Sequence, residues 1–180
     1  MPGPAELARN ARGDVRIDYS VGGKRRIRVW EPRGAGALET TFAKDGAVLL
    51  QLAVERERID DRIKETLAEA GCDSAKEVMY REVVFDRACP WCSRRSLVRV
   101  AQAYRSRGDV PVVPLYHCAE CRGQSYHLSD EYLIHLISSN PHLFDDSDAR
   151  RFGSERDAFV AEVRSNIISI FASKKLKRIE

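Results

Sequence analysis

Four of the five cysteines in this chain stand in two Cys-x-x-Cys pairs, Cys89-Pro90-Trp91-Cys92 and Cys118-Ala119-Glu120-Cys121, with 25 residues between them. Structural Zn²⁺ sites use four soft ligands in a tetrahedron, with Zn–S bonds of about 2.3 Å. One Cys-x-x-Cys turn places two sulfurs on one side of the ion, and its backbone amides donate hydrogen bonds to the thiolates. Two such turns complete the shell, so we expect one structural Zn²⁺ per chain.

Cysteine pairs also occur in redox dithiols, disulfide frameworks and iron centres. A thioredoxin-type dithiol uses a single pair at a strand-to-helix junction and needs no second copy. A disulfide framework belongs to secreted chains, and we expect no secretory leader in residues 1–14, which are polar and interrupted by Pro and Gly. An iron centre of rubredoxin or iron–sulfur type stays open as an alternative. The fifth cysteine, Cys72, has no partner turn, and we interpret it as a spare thiol near a helix end.

The segment from Cys89 to Leu128 resembles the zinc-ribbon superfamily, a module of transcription factors, RNA polymerase subunits and ribosomal proteins. The resemblance covers 40 of the 180 residues. It implies two metal knuckles and a hairpin, with strands over 96–104 and 110–116, a turn over 105–109 and a third strand over 123–128. Pro111 and Pro114 would confine the second of these strands to a sheet edge or shorten it, because proline cannot donate to the ladder.

Two departures from the ribbon pattern are visible. Ribbons commonly carry Gly directly after the second Cys of each pair, whereas this chain has Ser93 and then Arg122 followed by Gly123. Ribbons that stimulate transcript cleavage hold a catalytic Mg²⁺ on adjacent acidic residues at the hairpin tip. The tip here, residues 105–109, is Arg-Ser-Arg-Gly-Asp, so the resemblance does not extend to that activity.

Charge is concentrated in the ribbon segment. Residues 1–88 carry 16 basic and 16 acidic side chains, residues 89–128 carry 6 and 2, and residues 129–180 carry 8 and 9. Arginine suits bidentate phosphate contacts and stacking on bases, although a solvated charged surface is an equally good interpretation. The side chains that we expect to contact phosphates are Arg94, Arg95, Arg99, Arg105, Arg107 and Arg122 of the ribbon, Lys24, Arg25 and Arg26 near the N-terminus, and Lys174, Lys175 and Lys177 near the C-terminus.

Two function classes follow. The first is a nucleic-acid-associated protein of the transcription or translation apparatus, with a nucleic acid or ribonucleoprotein partner. The second is an adaptor in a protein complex, in which zinc only stabilises a small lobe. We expect no enzyme, because four thiolates leave zinc no open position and no catalytic triad can be assembled from the four histidines. His117, which could replace a thiolate, and His127 are expected beside the metal shell or on the surface, and His135 and His142 are expected to be structural.

Composition frames the remainder. At 180 residues and 43% hydrophobic content the chain is expected to fold around a real core, in the cytoplasm, and no apolar run approaches the length of a membrane span. Asn and Gln together number only six. This depletion favours a thermophilic origin, although a mesophile with a GC-rich genome would also favour Arg and Ala.

The elements predict an α+β fold in three parts, a β-rich domain over 1–88, the ribbon over 89–128 and a helical segment over 129–180. In the first part, strands 15–21 and 24–30 flank a Gly22-Gly23 turn, and strands 39–43 and 47–54 flank Asp45-Gly46. Residues 47–54 also fit the start of a helix. The expected helix over 56–70 ends at Gly71, and a strand over 78–85 leads into the first cysteine pair.

The last part is predicted to be helical. Ser129 caps a helix over 130–138 that ends before Asn140-Pro141, and an acidic loop follows over 145–148. Ser154 and Asp157 form a capping box in its Asp variant for a final helix. Its apolar residues are Phe159, Val160, Val163, Ile167, Ile168, Ile170 and Phe171, and its basic tail is 174–178.

Overall fold

The computed structural model describes residues 3–100 and 113–180. The chain divides into two compact units, Met1–Val83 and Val84–Glu180. Each unit combines a β-sheet with helical segments, which confirms the predicted α+β class. The finer division at residues 88 and 128 stays a prediction.

The N-terminal unit is built on a six-stranded sheet in the order β5-β4-β3-β2-β1-β6. Neighbouring strands are antiparallel except β1 and β6, which are parallel. The strands are β1 (Ala5–Arg9), β2 (Val15–Val21), β3 (Lys24–Arg33), β4 (Gly36–Ala43), β5 (Val48–Glu55) and β6 (Ala75–Glu77).

Both predicted hairpins of this sheet are confirmed. The β2–β3 turn consists of Gly22 and Gly23, whose φ angles of 56° and 76° suit a tight turn between twisted strands. The β4–β5 connection contains Gly46 at φ 87°. Residues 48–55 form a strand and not a helix, because seven of the eight pair with β4 and the eighth, Leu49, lies at an irregularity of the same ladder.

One helix, α1 (Ile59–Glu69), covers a face of the sheet and follows a 3-10 turn at Arg56–Arg58. Ile59 and Ile63 lie one turn apart and pack into the core that contains Ile17 and Trp30. The helix ends at Gly71 as predicted. Gly71 N donates to Ala68 O and the next amide donates to Leu67 O, a Schellman pair that a left-handed residue completes.

A charged network lies inside the N-terminal unit. The carboxylate of Glu39, 1% exposed, accepts hydrogen bonds from Arg62 Nη2 at 2.6 Å and Arg62 Nε at 2.8 Å. It also accepts a bond from Trp30 Nε1 at 2.6 Å. Arg28 Nε lies 3.6 Å from the same carboxylate, and Arg28 Nη1 donates to Thr66 Oγ1 at 2.7 Å. The network therefore joins β3, β4 and α1 through the buried charges of Arg28 and Glu39 and the partly buried Arg62.

Two predictions for the N-terminal unit are wrong. Residues 5–9 form β1, although the polar composition of residues 1–14 gave no strand signal. Of the strand expected over 78–85, only Val84–Phe85 is a strand. An additional strand precedes this range, since Ala75–Glu77 form β6 beside β1.

The C-terminal unit contains a five-stranded sheet in the order β11-β10-β9-β8-β7. Its core includes the stacked rings of Phe85 and Tyr116, with centroids 4.8 Å apart, and Tyr126 against Phe171 at 4.7 Å. The strands are β7 (Val84–Phe85), β8 (Leu97–Arg99), β9 (Leu115–Cys118), β10 (Gln124–Tyr126) and β11 (Lys177–Arg178).

Within the described residues, β8 and β10 lie inside the ranges expected for the first and third ribbon strands, whereas β9 overlaps the expected 110–116 only at residues 115 and 116. Strand β9 begins directly after Pro114 and lies between β8 and β10, so proline shortens this strand and does not place it at an edge. The expected basic turn over 105–109 lies outside the described residues. The predicted C-terminal tail is also different, because Lys177 and Arg178 form an edge strand parallel to β10.

The described part of the C-terminal unit contains the helices α2 (Asp130–Ser139), α3 (Asp146–Ser154) and α4 (Arg156–Ser173), with a 3-10 turn at Pro141–Leu143 after α2. Ser129 caps α2 as predicted, accepting from Tyr132 N. The acidic residues 145–148 are not a loop, because Asp145 accepts a bond from Asp148 N and starts α3. The capping box at Ser154 is wrong, since Ser154 is the last residue of α3 and its hydroxyl donates to Arg150 O.

The final helix buries part of the predicted apolar set. Phe159, Val160, Ile167 and Phe171 are buried, whereas Ile170 is exposed. Across the described part of the chain, every helix is too short or too polar to cross a membrane.

Candidate metal centre

The two cysteine pairs lie in two short turns of the C-terminal sheet. The first knuckle, Cys89–Arg94, connects β7 to β8, and the second knuckle, Cys118–Gly123, connects β9 to β10. Strands β8 and β9 are antiparallel neighbours, with Leu97 paired to Cys118. This pairing brings the two knuckles to the same end of the sheet.

The knuckles have matching backbone hydrogen bonds. Cys89 N donates to Arg94 O at 2.8 Å, and Cys118 N donates to Gly123 O at 3.0 Å. The amide after each second cysteine returns to the first cysteine, from Ser93 N to Cys89 O at 2.8 Å and from Arg122 N to Cys118 O at 2.9 Å. The two turns therefore have the same backbone hydrogen-bond pattern although their sequences differ.

The residue after the second cysteine of each pair has the backbone conformation of the glycine that ribbons commonly carry there. Ser93 and Arg122 have φ angles of 64° and 60°, the left-handed region that favours glycine. A residue with a side chain costs roughly 1–2 kcal/mol in this region. The knuckle geometry is therefore retained without its usual glycine, at the expense of local backbone strain.

The four sulfur atoms form a compact cluster. Cys89 Sγ and Cys121 Sγ are 3.8 Å apart, Cys92 Sγ and Cys118 Sγ are 3.6 Å apart, and all four lie within 4.8 Å of one another. A tetrahedron with metal–sulfur bonds of about 2.3 Å has edges of about 3.8 Å. The positions of the predicted ligands therefore fit one tetrahedral metal ion.

Hydrogen bonds from the backbone point at the sulfurs. Trp91 N lies 3.4 Å from Cys89 Sγ, Cys121 N lies 3.5 Å from Cys118 Sγ, and Gly123 N lies 3.4 Å from Cys121 Sγ. The Ser96 hydroxyl lies 3.3 Å from Cys118 Sγ. Such donors favour thiolate over thiol, which is the form that binds a metal.

Ionisation is uneven among the thiols. Burial opposes ionisation of Cys118, but hydrogen bonds from Cys121 N, from the Ser96 hydroxyl and from Glu120 N lower its pKa to about 6. The N–H of Arg94 acts on Cys92 in the same direction, yet burial and the three neighbouring sulfurs raise the pKa of Cys92 to about 12.

The histidines are not part of this cluster. Within the described residues, the grouped ligand atoms are the four cysteine sulfurs only. His117 lies in β9 opposite Val98 and Gln124, and the His127 ring lies 5.0 Å from that of Phe85. Cys72 is separate as well, since its partly buried side chain packs against the core of the N-terminal unit.

Trp91 is an exposed residue of the cysteine centre that was not among the predicted site residues. Its side chain is 44% exposed, and its Nε1 donates to Gln124 O at 2.8 Å. Lys177 Nζ lies 4.3 Å from the ring centroid and 3.4 Å from Pro90 O. Its position in the sequence indicates this exposure, because a side chain between two cysteines that face a metal site in a tight turn has to point away from that site.

The predicted phosphate-contacting residues are distributed over both units. Lys24, Arg25 and Arg26 lie at the start of β3, where Arg25 is 3.8 Å from Asp18. In the C-terminal unit, Arg95 forms an ion pair with Asp86 at 3.1 Å. Arg94 and Arg122 are exposed in the two knuckles, Arg99 lies in β8, Lys174 and Lys175 follow α4, Lys177 lies in β11, and Arg105 and Arg107 are outside the described residues.

Comparisons with protein-family models, with curated proteins and with solved structures give no match to this chain.

Proposed function

We propose that this protein is a zinc-ribbon protein in which one structural Zn²⁺ orders a basic surface that binds nucleic acid, within the transcription or translation apparatus. The observation that supports it is the four-sulfur tetrahedron, with sulfur separations of 3.6 and 3.8 Å, set between two knuckles that each expose an arginine. The partner is a nucleic acid or a ribonucleoprotein.

The ligand set supports a structural ion. Four thiolates complete the shell of Zn²⁺, so water and substrate have no position on the metal. The metal would hold together turns that connect β7, β8, β9 and β10, which are too short to be stable alone. Zinc thus contributes to folding, and chemistry at the ion is not part of the proposal.

Charge near the centre supports nucleic acid as the partner. Arg94 and Arg122 are exposed side chains of the first and the second knuckle, and β11 adds Lys177 beside the first knuckle. Glu120 is the one acidic side chain within the two knuckles. A rigid set of cations with few counter-charges suits a polyanion, whose binding releases counterions.

Metal analysis tests the first half of the proposal. We expect one Zn²⁺ per chain in the purified protein, loss of the metal in Cys118→Ser and retention in the matched variant Cys72→Ser. A colourless absorbance spectrum distinguishes zinc from a red iron centre. A protein that contains iron, or that folds with no metal, would refute the zinc assignment.

Salt-dependent binding to single- and double-stranded RNA and DNA tests the second half. Arg94→Ala/Arg122→Ala should weaken binding and flatten the logarithmic salt slope on duplex DNA by up to about 2 units. The control variant, Lys64→Ala/Arg150→Ala, removes the same charge from helices α1 and α3 and should leave both quantities unchanged. If the parent protein binds no nucleic acid at any salt concentration, the protein-adaptor function replaces this one.

A further inference from the structure

We propose that Trp91 is a stacking platform for an unpaired base and that Lys177 beside it contacts the adjoining phosphate, so that the partner is a single-stranded nucleic acid. This inference rests on the proposed function and names its substrate class. The metal centre itself does not require the side chain of Trp91.

Exposure of Trp91 is the first observation. The chain has two tryptophans, and Trp30 is 0% exposed, whereas Trp91 is 44% exposed. Only the backbone N–H of Trp91 is directed at the metal centre, where it bonds Cys89 Sγ. The indole is therefore free of a coordination role, and a large aromatic surface is left in water next to a cation.

Preorganisation of the ring is the second observation. Trp91 Nε1 is fixed by its bond to Gln124 O, and the ring lies against the backbone of Gly123. A Cβ atom at Gly123 would be 2.4 Å from Trp91 Cδ1 and 2.6 Å from Cγ, which no side chain tolerates. The second knuckle thus holds the ring of the first knuckle in one orientation, and an ordered platform loses little rotamer entropy on binding.

Lys177 supplies the third observation. Strand β11 pairs with β10 and carries Lys177 to the first knuckle, where its ammonium lies over the indole at 4.3 Å. A contact of an exposed lysine with a ring is weak and readily exchanged. A base can replace the ammonium on the ring while the ammonium moves to the phosphate, so ring and cation together match one nucleotide.

The chemistry favours a single strand over a duplex. Base faces are stacked inside a duplex and become accessible to an aromatic side chain only in single strands, loops and ends. Base–aromatic stacking tolerates any sequence, since every base has a π-face. Arg94 and Arg122, which are exposed in the same two knuckles, would supply further cations for the phosphate backbone.

Intrinsic fluorescence provides the test. Titration of the zinc-loaded protein with an oligouridylate of about 12 nucleotides should quench Trp91, while buried Trp30 gives a constant background. Trp91→Leu should lower the affinity for this oligonucleotide about 10- to 100-fold, and Trp91→Phe should restore most of it. Affinity for a duplex of equal length should be unchanged, and zinc content is measured for each variant.

Lys177→Gln is an independent variant, because it leaves the indole and the knuckles in place. It should reduce the salt slope on the oligonucleotide by about 0.7. If Trp91→Leu binds the oligonucleotide as tightly as the parent and binding does not quench fluorescence, the stacking inference is overturned, while weaker binding by Arg94→Ala/Arg122→Ala would still support the proposed function. If the parent binds neither single strand nor duplex, both proposals fail.

Discussion

Replacing Glu39 tests whether the buried charge network holds the N-terminal unit together. Glu39→Gln keeps the shape of the side chain but removes its charge and one acceptor oxygen. The new amide group would face guanidinium N–H groups of Arg62, so donor would meet donor. Arg28, only 7% exposed at its side chain, would lose its closest buried carboxylate.

The expected cost follows from the contacts. Arg62 makes two charge-assisted hydrogen bonds to Glu39, at 2.6 and 2.8 Å, and each is worth about 1.5–3 kcal/mol. The hydrogen bond to Glu39 raises the pKa of Arg62, but the guanidinium stays charged without that bond, because arginine is not deprotonated in proteins. Removing one member of a buried ion pair costs about 3–5 kcal/mol, which is the destabilisation we expect for Glu39→Gln.

Urea denaturation measures this value. Trp30 lies in the N-terminal unit, so Trp91→Phe in all variants makes fluorescence report on that unit alone. With an m value of about 1–2 kcal/mol/M, the midpoint should fall by at least about 1.5 M. Because small domains have about 5–15 kcal/mol of stability, unfolding of Glu39→Gln in buffer would also agree with the expectation.

The matched control is a surface ion pair of the same unit. Glu82 lies 3.1 Å from Arg12, with side-chain exposures of 58% and 72%. Glu82→Gln should cost less than about 1 kcal/mol, because exposed pairs are screened by solvent. If Glu39→Gln is no more destabilising than Glu82→Gln, the buried network does not stabilise the unit and our reasoning about its charges is refuted.

Three further substitutions address other elements. Gly123→Ala should displace the indole of Trp91, and acrylamide quenching of tryptophan fluorescence should then show a more accessible ring. Unchanged quenching would contradict the close contact between the ring and the Gly123 backbone. Ser93→Gly should relieve the left-handed strain in the first knuckle and leave thermal stability unchanged or raised by up to about 1 kcal/mol, whereas clear destabilisation in thermal melts would argue against that backbone conformation. Ser129→Ala should destabilise the C-terminal unit by about 1 kcal/mol in the same melts through loss of the α2 cap, and no change would exclude the cap as a contributor.

Local signals account for the features that were predicted correctly. The Gly22-Gly23 turn and the alternating strands beside it specify a hairpin without help from the remainder of the chain. Gly71 ends α1 through bonds to residues within the same turn. The four cysteines were identified because ligand type and spacing are local properties of each knuckle, even though their assembly depends on the β8–β9 pairing.

Long-range pairing accounts for most errors. Strand β1 has little sequence signal of its own, and it is stabilised between β2 and β6, which lies about 70 residues later. Strand β11 is similar, since residues that read as a basic tail become ordered against β10. The error at Ser154 has another cause. Serine is a common residue at the start of a helix, but here it is the last residue of α3, and α4 begins two residues later at Arg156.

The position of β11 has a consequence for the order of folding. The first four strands of the sheet that carries the cysteine cluster lie within residues 84–126, and the fifth follows about 50 residues later, after α2, α3 and α4. Loop closure over that distance makes β11 a late addition, whereas the knuckles can meet once β9 and β10 exist. During synthesis, the cysteine cluster can therefore assemble while Trp91 still lacks Lys177, and the contact of the indole with Lys177 forms only when the helical segment has folded.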